Sequence, residues 1–167
     1  PMAGDLALAQ EFVDMIWPMV WQVADNDQFV GETQAMRKRV ISLLPPKEAQ
    51  VEIKLGAGGL RDVEFTVQLL QLVHGRSDGR LRLRGTFEAL TALVDHGYVG
   101  RADGHDLGTA YRLQRLLEHR VQLYRLRRTH LMPTDEANQR WLARSVGLSE
   151  TRELMQLWRS TTRRVLN

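Results

Sequence analysis

From Leu60 to His74 the chain reads LRDVEFTVQLLQLVH, with Leu60, Val63, Phe65, Val67, Leu69, Leu70, Leu72 and Val73 spread almost all round a helical wheel. A helix that is apolar on nearly every side is stable only inside other structure. The rest of the chain must therefore wrap it, and the flanking segments read as helices too. From Asp5, DLALAQEFVDMIWPMVWQV places Leu8, Phe12, Met15 and Met19 on one stripe, with Pro18 expected to kink or end the helix. TQAMRKRVISLL is a second helix on Met36, Val40 and Leu43, stopped by Pro45-Pro46, and the central helix closes at Gly75.

GRSDGRLRLRG is a connection; its RLRLR alternates like a strand but has no partner with which to form a sheet. Thr86 is the expected cap of FEALTALVDH, which Gly97 ends, and Asp106 or Thr109 is the expected start of the longest helix, through AYRLQRLLEHRVQLYRLRR. Pro133-Thr134-Asp135 and Gly147-Leu148-Ser149 introduce the last two helices. The expected fold is all-α, a single helical bundle of about seven helices occupying residues 1–167 as one domain.

Composition removes several classes of function. The 167 residues contain no cysteine, which excludes disulfides and thiolate zinc sites and fits a reducing cytoplasm. No apolar run approaches the roughly 20 residues of a membrane span, so no membrane partner is expected. The pI of about 9.7 reflects arginine in excess over lysine, while the net charge is only +3. The arginines 112, 115, 120, 125, 127 and 128 suggest a stand-alone basic helical nucleic-acid-binding module, but Glu118 interrupts them and Tyr111 and Tyr124 are the only aromatics among them, so nucleic acid is disfavoured as a partner. His74, His96, His105 and His130 show no i, i+4 spacing that would hold a metal. Trp17, Trp21, Trp141 and Trp158 sit at core spacings, with Trp17 and Trp21 placed to face another domain as an alternative. Glu118 and Arg120 mark a salt-bridged face or a surface that receives a partner.

The stretch IKLGAGGLRDVEF, Ile53 to Phe65, carries the densest chemistry. It is not a Walker loop, because the lysine precedes the glycines, and not a dinucleotide fingerprint, because Arg61 stands where the third glycine belongs. Asp62 and Glu64 imitate a magnesium-binding carboxylate pair, yet at i, i+2 on a helix they point about 200° apart, so no metal site is expected. What remains is a Gly-rich loop delivering a helix N-terminus. Lys54, Gly56, Gly58, Gly59, Arg61 and Gln68 are candidates to lie near a phosphate or nucleotide, with positive φ expected at Gly58 or Gly59 and free amides beyond them. Arg61, Glu64, Gln68 and Gln71 form a polar stripe at i, i+3, i+7 and i+10, which must face a cleft, a polar network or a partner; Gln71, Glu118 and Arg120 are interface candidates.

IKLGAGGLRDVEFTVQLLQLVHG resembles the signature of the bifunctional glutamine synthetase adenylyltransferase/adenylyl-removing enzymes, and a related K-x-G-x-G-G-L-R-D run occurs in PII uridylyltransferases. GDLALAQEF is similar to the segment leaving that family's nucleotidyltransferase domain, and YRLQRLLEHRVQLYRLRRTHLMP to its later helix and loop. The R-D-V-E-F form resembles the N-terminal, adenylyl-removing half. The resemblance implies an intact enzyme that attaches AMP to, or removes it from, a tyrosine of glutamine synthetase, using magnesium and ATP or phosphate under control of PII protein and glutamine. The family's G-[GS] turn followed by D-h-[DE] is absent here, so this chain is expected to be a helical domain standing C-terminal to a nucleotidyltransferase domain. It would lack catalytic residues of its own, be inactive alone, bind no cofactor itself, and give Glu64 and Arg61 a supporting role.

Overall fold

A computed structural model of the chain describes residues 4–167, with Arg125 described by its backbone alone. The helices are α1 (Leu6–Gln22), α2 (Phe29–Ser42), α3 (Pro46–Ala49), α4 (Leu60–His74), α5 (Thr86–Asp95), α6 (Arg101–Arg125), α7 (Glu136–Ser145) and α8 (Thr151–Leu166). The all-α expectation holds. Among the described residues the only extended pairing is an isolated antiparallel bridge between Glu52 and Leu131, and no helix is long and apolar enough to cross a membrane.

Two apolar clusters organise the bundle, and α6 contributes to both. Leu117 and Val121 of α6 pack with Ile53, Leu60, Met132, Leu142, Leu154 and Trp158, joining α7 and α8 to the start of α4. At the other end, Val67 of α4 packs with Leu81 and with Ala89, Leu90 and Leu93 of α5, with Leu107 of α6 against them. The close fit of α5 on α6 explains why the long helix begins at Arg101 rather than at Asp106 or Thr109. Gly104, which interrupts the helical pattern, lies where a Cβ would stand 2.2 Å from Val94 Cγ2. A mid-helix glycine costs about 1 kcal/mol in propensity, and here the closer helix contact offsets it.

Other boundaries also differ from the sequence reading. α1 runs through Pro18 instead of ending there. The carbonyl of Asp14 loses its donor, but both residues are exposed, where water can serve it. The stripe of Leu8, Phe12, Met15 and Met19 faces outward, between 56% and 65% exposed, and Trp21 is the residue α1 buries. α2 likewise exposes Met36 and Leu43 and buries Arg37. Thr86 is the first residue of α5, and the cap is Gly85. The last two helices start as expected. Asp135 accepts from the Asn138 amide at 3.0 Å, and Glu150 and Glu153 form a reciprocal capping box at α8.

Candidate functional site

The Gly-rich loop is closed by its own backbone. Glu52 Oε1 accepts from the amides of Lys54 (2.9 Å) and Leu55 (3.2 Å), and Ile53 donates to the His130 carbonyl at 2.8 Å. Leu60, Arg61 and Asp62 donate to the carbonyls of Ile53, Lys54 and Gly59, Gly59 donates to Gly56, and the Gly58 amide is held by Asp62 Oδ2 at 2.6 Å. The amides from Gly58 to Asp62, where free donors were expected, are therefore all engaged. Gly56, Gly58 and Gly59 are buried. Positive φ occurs at Gly58 (+72°) and not at Gly59 (−85°). Gly59 is needed instead for close approach, since a Cβ there would lie 2.6 Å from the Ile53 carbonyl.

Two side chains that sequence reading passed over lock this loop. Arg37 of α2, only 8% exposed, donates to Asp62 Oδ1 (2.5 Å) and to the carbonyls of Leu55 (2.9 Å) and Gly56 (3.0 Å). Gln114 of α6, fully buried, donates to the Gly58 carbonyl at 2.6 Å.

Beside the loop, α4 and α6 bring together a chain of alternating charges. Lys54 Nζ lies 3.2 Å from Glu118 Oε1. Arg115 Nη1 lies 2.7 Å from Glu118 Oε2, and Arg115 Nη2 lies 2.5 Å from Glu64 Oε1. Arg61 Nη1 completes the series at 3.2 Å from Glu64 Oε2. The carboxylates form the floor, with side chains 7% (Glu64) and 3% (Glu118) exposed, while Lys54, Arg115 and Arg61 form the rim at 24%, 33% and 39%. Burial pushes the Glu118 carboxyl up, but the hydrogen bonds from Arg115 and Lys54 outweigh it and hold it below its ordinary range. His130 Nδ1 stands 3.1 Å from Glu118 Oε1 and 3.2 Å from Gln122 Nε2, so it can donate to the carboxylate or accept from the amide, not both.

The polar stripe thus divides. Arg61 and Glu64 join Lys54 and Glu118 in the array. Gln71 turns inward, donating to the carbonyls of Leu81 (2.6 Å) and Leu83 (2.9 Å); it braces the α4–α5 connection and is too buried to be an interface residue. Glu118 is similarly an internal hub instead of an exposed contact. Gln68 and Arg120 are exposed and outside the array. Asp62 and Glu64 face different arginines, as their helical spacing requires, and among the described residues no group of three metal-ligating side chains comes together. The one sequence signal for Arg115 as a member was its i, i+3 spacing to Glu118; its reach to Glu64 crosses 51 residues.

Comparison with known proteins agrees with the resemblance. A family model described as GlnD PII-uridylyltransferase matches residues 32–167. The chain is 59% identical over 99% of its length to the bifunctional glutamine synthetase adenylyltransferase/adenylyl-removing enzyme of Cutibacterium acnes, covering 17% of that protein. It is 57% identical to the enzyme of that name from Streptomyces avermitilis, over 89% of the chain and 15% of the relative, and 50% identical to that of Nocardia farcinica, over 98% and 17%. The chain thus spans about a sixth of the length of these relatives. It belongs to the GlnD PII-uridylyltransferase family and is similar, over nearly its whole length, to one segment of the bifunctional glutamine synthetase adenylyltransferase/adenylyl-removing enzymes.

Proposed function

We propose that the chain is the helical domain of an enzyme that adenylylates and deadenylylates glutamine synthetase, standing C-terminal to the nucleotidyltransferase domain of the adenylyl-removing half, with its ion-paired array bordering the active-site cleft. The names of the relatives support the reaction and the substrate, and do not favour the stand-alone nucleic-acid module. The single observation that carries the site is the array itself: three cations held at a rim by two buried carboxylates.

Cations whose counter-ions lie beneath them are pre-oriented, so they can meet phosphoryl oxygens with little reorganisation. Lys54, Arg61 and Arg115 would supply that positive charge. Glu64, bound by two guanidinium groups, positions them rather than acting as a base. Asp62 and Glu64 do not fit magnesium, because arginines already occupy them. Magnesium and ATP would belong to the nucleotidyltransferase domain, and no step here runs through them. Glutamine synthetase and PII protein are the partners this role implies, in the cytoplasm.

The test uses Lys54→Met, Arg61→Met and Glu64→Gln in the enzyme that contains this chain. The expected result is a melting temperature within a few degrees of the parent for the two rim cations and deadenylylation slowed at least about tenfold, about 1.4 kcal/mol of transition-state stabilisation. Near-normal rates in all three, or a loss of rate that follows unfolding, would make the array a structural brace only.

A further inference from the structure

The end of α6 carries a second concavity, independent of the catalytic reading. A cavity of about 310 Å³ opens there, lined chiefly by Val121, Tyr124, Arg127, Arg128, Leu131 and Trp141. We propose that this cavity binds a mononucleotide, with its planar base on the Tyr124–Trp141 wall and its phosphate at Arg127 and Arg128.

The wall is held by two elements. Tyr124 of α6 and Trp141 of α7 stack on each other with ring centroids 4.0 Å apart and planes 29° apart, and both line the cavity, so a base would extend the stack from the cavity side. Arg127 and Arg128 line the same cavity. Leu126 adopts a left-handed conformation, φ +48° and ψ +39°, and is 86% exposed. That geometry caps the helix, because the Leu126 and Arg127 amides both turn onto the Gln122 carbonyl. Its effect is to end α6 abruptly and carry Arg127 and Arg128 to the cavity. Both are exposed, and among the described residues neither is in an ion pair.

The extended segment that follows separates this cavity from the array. Thr129, Leu131 and Pro133 line the cavity, while His130 reaches Glu118 and Met132 is buried in the core. Alternation along one extended segment therefore sends successive side chains to two different sites. An aromatic pair and two arginines lining one cavity suit a ligand with a planar ring and a phosphate; a bare anion would leave the rings unused. The volume lies at the low end for small-molecule sites, roughly 300–1,000 Å³, which suits one nucleotide better than a peptide.

The experiment titrates the isotopically labelled 167-residue chain with AMP, adenosine and inorganic phosphate separately, following the Trp141 indole and the Arg127–Thr129 amides by NMR. AMP is expected to shift both sets saturably, and more tightly than either half-ligand alone. Arg127→Gln/Arg128→Gln and Trp141→Leu should each weaken AMP at least about tenfold. Absence of saturable shifts up to about 10 mM AMP, phosphate binding as tightly as AMP, or unchanged AMP binding in the arginine double variant would each overturn the site. Should Trp141→Leu fail to fold, the arginine variant decides alone, since both side chains are exposed.

Discussion

Gly58 leaves the backbone the least choice. Its φ is +72°, and a Cβ there would stand 2.2 Å from the Thr162 carbonyl oxygen of α8, so a side chain meets both a strained dihedral and a backbone clash. Gly58→Val should destabilise the chain by at least about 1–3 kcal/mol. Gly79 has open space around its Cβ position and an ordinary φ, so Gly79→Ala serves as the control and should change little. Equal melting temperatures for the two variants would show that the loop accommodates ordinary residues. Glu118 sets a second residue-scale expectation. Its carboxyl is held below the ordinary value of 4.5, so the folded state binds that proton more weakly than the unfolded state does. The stability it contributes is full above pH 4.5 and is lost as pH falls through the lowered value. Chemical denaturation against pH should therefore show a shallower acid decline in Glu118→Gln than in the parent; parallel curves would contradict the assignment.

At the scale of elements, α2 shows what sequence periodicity can and cannot reveal. Its helical pattern on Met36, Val40 and Leu43 was readable, but Met36 and Leu43 face outward, and the residue that anchors α2 is Arg37, through Asp62 and two loop carbonyls. A guanidinium in a run of polar residues carries no signal that it will be buried 25 residues away. α4 was legible to the residue because glycines bracket an apolar run, whereas the start of α6 was hidden by Gly104, whose purpose exists only once α5 lies against it. The array was half legible: Arg61 and Glu64 share a helix, while Lys54 and Glu118 lie 64 residues apart. The latch itself is testable. Arg37→Met leaves the mostly buried Asp62 without its charge partner and should cost about 3 kcal/mol, the low end for breaking a buried pair. Hydrogen exchange should show the amides of α2 losing protection relative to α4. Unchanged protection in α2 would mean that apolar contacts hold it after all.

For the molecule as a whole, the question is whether 167 residues with this network can transfer AMP unaided. Two-metal or one-metal phosphoryl chemistry needs carboxylates that are close together and free to coordinate. The acidic residues nearest the cationic rim are not free: Asp62 is bound by Arg37 and the Gly58 amide, Glu64 by Arg61 and Arg115, and Glu118 by Lys54 and Arg115. Recruiting any of them to a cation would strand an arginine partner, at a cost of the same order as breaking a buried pair. The apolar stripe of α1 points away from both cores as well, so neither core of this chain gains from it. The chain on its own should therefore leave adenylylated glutamine synthetase intact in the presence of magnesium and phosphate, and should not label the unmodified enzyme with AMP from ATP. The measurement is release or incorporation of radiolabelled AMP, with the full enzyme as positive control. Magnesium-dependent turnover by the pure 167-residue chain, abolished by Asp62→Asn or Glu64→Gln, would show that these carboxylates leave their arginines to do chemistry.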